Sequence, residues 1–309
     1  MGFRRYLAIA ILLSMLVGAL YGAAHETFDW TRLVEVSGFH WLLVIVLAFV
    51  NVFSQGLIFK VSVERFSLKL PLRAWFGSLN ITLFSNYVVP FSGFGFRAYY
   101  LNRDFGLSYR NFGLSLLAIL LVEQMVFAVA GIIGASAATA GSSARVGVQW
   151  LFGAVIAGGT LAFIPLVVLL FSRFVLFDSV RRFLNDWTDY IQFSGAILRL
   201  FVITLIAAAA FISMFYVSIL AITGQSNLSA ALLMATIANI GLLFRIAPAG
   251  LGTFEGGIVG AGLFYGIDAT SCVLVALMVR IGFMAWFFTL GPYYSWALMG
   301  SLMPKKVMS

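Results

Sequence analysis

Two stretches of this sequence combine a proline, two glycines and two widely spaced charges in otherwise apolar surroundings. The first contains Pro90, Gly93, Gly95, Arg97 and, further along, Glu123. The second contains Pro248, Gly250, Gly252, Glu255 and, further along, Arg280. The first charge stands seven residues after the proline in both, but the signs of the charges are opposite. Helix breaks at corresponding positions in two halves of a membrane protein indicate a transporter's substrate site, and ionisable residues in a membrane are usually functional.

Each break predicts a place where a polar headgroup could bind. A broken helix leaves backbone N–H groups without partners, and together with the helix dipole they favour an anion such as a phosphate. The four glycines would let this backbone approach the headgroup closely, although proline and glycine also occur in membrane helices as simple kinks. Arg245, shortly before the second break, could face the headgroup or extend to the membrane interface. Asn86 and Asn239, which precede the breaks, could cap the broken backbone or contact the substrate.

Opposite signs at equivalent positions indicate that the charges compensate one another across the two halves. Partnered charges in a membrane cost less free energy than lone ones. We therefore expect Arg97 to lie near Glu255, and Glu123 to lie near Arg280. These contacts would belong either to a substrate site or to purely structural ion pairs.

The composition places the chain in a membrane. Hydrophobic residues make up 62% and charged residues 10% of the sequence, far from the balance of a soluble domain. We expect a single integral membrane domain over residues 1–309, because no stretch is polar and long enough to form a separate soluble domain. One cysteine and two histidines offer no metal-binding cluster, so neither a metal nor another cofactor is expected. The net charge of +8 suits anionic lipid headgroups rather than nucleic acid.

Hydropathy predicts six full spans, near 7–24, 41–59, 112–138, 149–172, 200–222 and 272–291. Two further apolar stretches, about 74–95 and 230–266, contain the breaks. If both are re-entrant and enter from opposite sides, fourteen of the nineteen Lys and Arg residues lie in the cytoplasm, as the positive-inside rule favours. We therefore predict an all-α membrane bundle of about six spans and two re-entrant hairpins arranged as an inverted repeat. It would lie in the cell membrane with both termini in the cytoplasm.

The chain resembles a known family, the transmembrane region of lysylphosphatidylglycerol synthases. This flippase-like domain forms the membrane half of the multiple peptide resistance factor. The resemblance covers most of the chain and rests on Pro90 to Arg97, Tyr99 to Leu101, Gly106 to Ser108, Glu123, Pro248 to Gly252, Glu255, Gly266 and Arg280. Phe94 and Gln124 depart from the family pattern, which commonly has an acidic residue and an arginine there. The resemblance implies lipid translocation between leaflets.

Three classes of function remain open: a lipid flippase, a membrane-embedded enzyme that acts on lipid-linked substrates, and an ion-coupled transporter of small solutes. The leading hypothesis is movement of an anionic or zwitterionic phospholipid or lipid-linked substrate, with membrane lipids as the partners. An enzymatic function is disfavoured because the only candidate acid–base groups, Glu123 and Glu255, are each expected near an arginine that would keep the carboxylate ionised. The sequence leaves the oligomeric state open.

Overall fold

A computed structural model describes residues 31–89, 92–137, 194–243 and 252–302, and these residues are almost entirely helical. The main helices are α1 (Gly38–Glu64), α2 (Ser78–Val88), α3 (Ser92–Phe105), α4 (Tyr109–Ala137), α5 (Ser194–Thr223), α6 (Leu228–Leu243), α7 (Thr253–Phe264) and α8 (Ala269–Leu302). A short helix, Thr31–Val34, precedes α1, and a π-helical turn, Arg73–Gly77, leads into α2. The predicted all-α class is confirmed, since no strand occurs in these four ranges.

Four of these helices, α1, α4, α5 and α8, are long and apolar enough to cross a membrane. The predicted spans near 41–59, 112–138, 200–222 and 272–291 fall within them. A helix of 27 residues is about 40 Å long at a rise of about 1.5 Å per residue, which exceeds the roughly 30 Å of a hydrocarbon core. The protein is therefore a multi-pass membrane protein. The predicted spans near 7–24 and 149–172 lie outside the described residues.

Helices α1 and α5 pack along each other at the centre of the described bundle. Asn51 Nδ2 of α1 donates a hydrogen bond to the carbonyl oxygen of Ala207 in α5, at 2.8 Å. On the neighbouring helix α8, Trp286 Nε1 donates to the carbonyl oxygen of Ile45, also at 2.8 Å. These two polar side chains thus find partners on a neighbouring helix, which avoids the cost of an unsatisfied polar group in a membrane.

The first predicted break separates α2 from α3, which pack against each other as the first hairpin. Thr82 Oγ1 of α2 donates to the carbonyl oxygen of Gly93 in α3, at 3.1 Å. Ser92 Oγ, at the start of α3, donates to the carbonyl oxygen of Ser85 at the same distance, 3.1 Å. The chain therefore reverses direction between these helices.

The second predicted break separates α6 from α7, and these helices form the second hairpin. Three close contacts join its arms along their length: Gly241 with Thr253, Ile237 with Gly257, and Met234 with Gly262. Sequence position falls along one arm as it rises along the other, so the arms are antiparallel. They contain 16 and 12 residues, which correspond to about 24 and 18 Å. Neither arm is long enough to cross a hydrocarbon core of about 30 Å on its own.

The long helices define two ends of the bundle. At the Glu64 end, Arg199 of α5 forms an ion pair with Glu64 at 3.8 Å. At the Ser271 end, Arg32 Nη1 donates to Ser271 Oγ at 3.3 Å. Helix α1 runs from the Ser271 end to the Glu64 end, and α5 runs the opposite way.

Each hairpin begins and finishes at one end of the bundle. The first lies at the Glu64 end, because Leu70 and Leu107, which flank it, share a hydrophobic cluster with Val63. The second lies at the Ser271 end, because Asn227 and Asp268, which flank it, line a polar cavity together with Arg32 and Ser271. The two hairpins thus enter the bundle from opposite ends.

Candidate functional site

A cavity of about 400 Å³ lies where the hairpins and the long helices meet. Three of the four charges that the sequence marks as site residues, Arg97, Glu123 and Arg280, line it. Most of the remaining wall is apolar, with aromatic rings contributed by Phe59, Tyr87, Phe94, Phe127, Phe211, Phe254, Phe283 and Phe287. A small number of polar groups in an apolar wall is the usual composition of a ligand pocket.

Arg97 of α3 is buried, with 3% of its surface exposed. Its guanidinium lies over the ring of Phe59, with Cζ 3.6 Å from the ring centroid, and Nη2 donates to the carbonyl oxygen of Trp75 at 3.3 Å. Nε has no hydrogen-bond partner in the described part of the chain. No acidic side chain from that part forms an ion pair with Arg97, which is therefore an uncompensated cation beside the cavity.

Arg280 of α8 is compensated. Its Nη2 contacts Glu255 Oε1 of α7 as an ion pair, and its Cζ lies 5.0 Å from the ring centroid of Phe254. Glu255 Oε2 accepts the backbone N–H of Gly252 at 2.8 Å, so the same carboxylate caps the start of α7. The predicted pairing of Arg97 with Glu255 is wrong, because the local cap holds Glu255 within reach of α8 rather than of the first hairpin.

Glu123 of α4 accepts a hydrogen bond from Gln55 Nε2 of α1. The next residue of α4 is Gln124, whose Nε2 donates to Asn239 Oδ1 of α6 at 2.8 Å. Glu123 and Arg280 line the same cavity, and the predicted pairing between them stays a prediction. The two arginines and Glu123 thus line one cavity, and the carboxylate that pairs with Arg280 is that of Glu255.

Two of the four predicted site glycines, Gly93 and Gly252, have structural roles in the hairpins. A Cβ on Gly93 would overlap the backbone of Thr82, so Gly93 permits the two arms of the first hairpin to pack closely. Gly95 is exposed, and a Cβ there would meet no described atom within 4 Å. Gly252 has a φ of 84°, a conformation that favours glycine, and its N–H is occupied by Glu255. The start of α7 is therefore already neutralised by a side chain.

The two asparagines that precede the breaks both line the cavity. Asn86 Oδ1 accepts the backbone N–H of Gly93 at 3.0 Å, which confirms the predicted capping role. Asn239 bonds to Gln124 instead of the broken backbone. Four predicted site residues, Pro90, Arg245, Pro248 and Gly250, lie outside the described residues.

Several residues that line the cavity were not predicted from the sequence as site residues. Gln55 and Asn51 of α1 line it, as does Gln124, which the sequence marked only as a departure from a family pattern. The available signal was the polarity of these side chains within strongly apolar spans. The aromatic lining had no such signal, because 31 phenylalanines are spread through the chain.

These features define a helical multi-pass membrane protein with a charged, aromatic-lined cavity between two broken helical hairpins. The chain belongs to the lysylphosphatidylglycerol synthase TM region family, whose model matches residues 6–291. This membership confirms the resemblance seen in the sequence and indicates a function connected with membrane lipids. Among curated proteins, none matches the chain significantly.

Proposed function

We propose that this protein moves the headgroup of an anionic or zwitterionic lipid between the leaflets of the cell membrane, and that it is a transporter rather than an enzyme. The observation that carries the proposal is the buried guanidinium of Arg97 beside the cavity, which has no counter-charge among the residues that the structure describes. Burying a lone cation costs several kcal/mol, so a fold that keeps one gains from a bound anion during its cycle. A lipid phosphate supplies that charge.

The cavity suits an amphiphile. Its volume of about 400 Å³ lies within the range of small-ligand pockets, which begins near 300 Å³. The headgroup would meet Arg97 and the amides, while the aromatic wall accommodates its apolar parts. The acyl chains would remain in the bilayer.

The hairpins support an alternating-access mechanism. They enter the bundle from opposite ends, as in transporters whose two halves form an inverted repeat around a central site. Basic residues cluster toward the Glu64 end: Lys60, Arg65, Lys69, Arg73, Arg103, Arg110 and Arg199. By the positive-inside rule we assign this end to the cytoplasm.

The contacts of the two carboxylates in the site favour a transporter over an enzyme. Glu255 uses one oxygen for Arg280 and the other for the N–H of Gly252, so neither is available as a general base. Glu123 is engaged by the amide of Gln55. Either carboxylate would have to give up these contacts before it could accept a proton from a substrate.

The proposal is tested with purified protein in liposomes that carry a fluorescent-headgroup phospholipid in both leaflets. A membrane-impermeant quencher then reports how fast lipid moves from the inner to the outer leaflet. Arg97→Ala should slow this movement roughly tenfold or more, since a hydrogen bond to a charged group contributes about 1.5–3 kcal/mol. Arg103→Ala is the matched control, because Arg103 is exposed and bonds to Asp104 outside the cavity.

An unchanged rate in Arg97→Ala would contradict the role of Arg97. If the wild-type protein moves none of a panel of native lipids, with or without an ion gradient, lipid transport is wrong. Uptake of a labelled solute into the same liposomes would then support the small-solute alternative.

A further inference from the structure

In the side-chain amide of Asn86, one polar atom forms a hydrogen bond and the other forms none with the described residues. Asn86 lies near the end of α2, only 2% exposed, and lines the cavity. Its Oδ1 accepts the N–H of Gly93, in the first turn of α3, at 3.0 Å. A backbone N–H can only donate, so this bond fixes which way the amide is turned. Oδ1 faces the N–H of Gly93 in α3, and Nδ2 is directed away from it.

Asn86 Nδ2 has no acceptor within the described ranges. A buried donor without an acceptor costs about 1–3 kcal/mol. Capping alone does not require it, because aspartate caps the start of a helix about as well as asparagine and, when ionised, carries no side-chain donor. The second half of the amide therefore needs a separate explanation.

Arg97 belongs to the same hairpin and also has a donor without a partner. It lies four residues after Gly93, on the same face of α3, and its Nε is unbonded among the described residues. The first hairpin thus presents donors from both arms, Asn86 from α2 and Arg97 from α3, to one cavity. Two unsatisfied donors, one of them cationic, call for a ligand rich in acceptor oxygens and negative charge.

We propose that Asn86 is a headgroup-binding residue whose Nδ2 donates to an anionic oxygen of the ligand, of the kind found in a phosphodiester. The inference rests on the proposed function, since the ligand is the headgroup being moved. One amide then performs two tasks, because Oδ1 holds the start of α3 while Nδ2 contacts the ligand. Binding is thereby linked to the geometry of the first hairpin.

Two substitutions separate the tasks. Asn86→Ser removes the whole amide, and because its Oγ is bonded directly to Cβ it cannot take the place of Oδ1 or Nδ2, so both tasks are lost. Asn86→Asp keeps the capping oxygen and replaces the donor by an acceptor, which repels an anion when ionised. Asn80→Ser is the matched control, because Asn80 is buried on the same helix, donates to the carbonyl oxygen of Phe76 and does not line the cavity.

Binding is measured in detergent by isothermal titration with a short-chain phosphatidylglycerol and, separately, with inorganic phosphate. We expect wild type and Asn80→Ser to bind the lipid alike, and both Asn86 variants to bind it at least about tenfold more weakly, with Asn86→Asp keeping a thermal unfolding midpoint close to that of wild type. Asn86→Asp should recover part of its binding at low pH, where the carboxyl group is neutral. A capping role alone would leave binding unchanged in Asn86→Asp, which keeps the capping oxygen.

The outcomes distinguish this inference from the proposed function. Equal lipid binding by wild type and both folded Asn86 variants overturns the role of Asn86 and leaves lipid transport standing. Binding of inorganic phosphate without the lipid, lost in the Asn86 variants, supports the role of Asn86 and contradicts the lipid as its source. If wild type binds neither probe, both the anion site and the role of Asn86 are wrong.

Discussion

Glu255 of α7 and Arg280 of α8 form an ion pair within the second half of the chain. The other oxygen of the Glu255 carboxylate accepts the N–H of Gly252 at 2.8 Å. One side chain therefore closes the first turn of α7 and attaches the second hairpin to a long helix. The two cavity arginines consequently differ, because Arg280 has a counter-charge and Arg97 has none in the described structure.

Removing both partners of this ion pair should lower the free energy of unfolding by less than the sum of the two single removals. Glu255→Gln alone removes a counter-charge of the buried Arg280, and Arg280→Gln alone removes the counter-charge of the partly buried Glu255. We expect each to lower the free energy of unfolding by about 3 kcal/mol. The double variant should lose less than the sum of the two. Reversible unfolding in detergent measures these energies. Arg97→Gln combined with Glu255→Gln is the control, and the losses of unfolding free energy from these two substitutions should add. Additive losses for Glu255→Gln and Arg280→Gln would disprove the coupling between Glu255 and Arg280.

Arg97→Met should make the protein more stable and less active. The substitution replaces a buried cation by an apolar side chain of similar length, and such changes often stabilise a fold by about 1 kcal/mol or more. The thermal unfolding midpoint should rise while lipid movement in liposomes is lost. Arg280→Met should instead lower the midpoint, because it leaves the Glu255 carboxylate without its counter-charge. A lower midpoint for Arg97→Met would show that the guanidinium has a structural role.

The two glycines of the first hairpin should respond differently to alanine. Gly93→Ala would place a methyl group against the backbone of Thr82, which cannot move without separating the arms. We expect a loss of about 1–3 kcal/mol, the typical cost of overpacking. Gly95→Ala meets no described atom within 4 Å and should leave stability unchanged or raise it by up to about 1 kcal/mol through helix propensity. Equal effects of the two substitutions would contradict the packing assigned to Gly93.

The orientation can be tested with single cysteines in a Cys272→Ala background, which removes the buried native thiol. Asp104→Cys at the Glu64 end should react with an impermeant thiol reagent only from the cytoplasmic side. Ser226→Cys at the Ser271 end should react only from outside. Both positions are exposed, so a failure to react would not come from burial. Reaction of both from the same side would rule out hairpins that enter from opposite ends.

The sequence predicted the helices of the described region well because their signals are local. Apolar runs of about twenty residues identified the four long helices, and prolines and glycines identified the breaks between α2 and α3 and between α6 and α7. Both kinds of signal act within a few turns of the chain. No knowledge of how helices are rotated against one another was needed.

The predicted pairing of Arg97 with Glu255 was wrong because it depends on that rotation. Equal offsets from two prolines place Arg97 and Glu255 at equivalent positions, but they do not determine which helix each side chain faces. Glu255 stands three residues after Gly252, and this local spacing directs its carboxylate to the helix start and to Arg280. The contact between Gln55 and Glu123 was likewise out of reach, because it joins residues 68 positions apart.

The packing of the second hairpin limits how it can move. Ile237 lies against Gly257, and Met234 lies against Gly262, at positions where a neighbour without a side chain leaves room. Sliding one arm along the other by a helical turn would bring Ile237 onto Thr253 or Ala261, which do carry a Cβ. We therefore expect the two arms to resist sliding past each other and to move together, about the connections to α5 and α8 at residues 224–227 and 265–268.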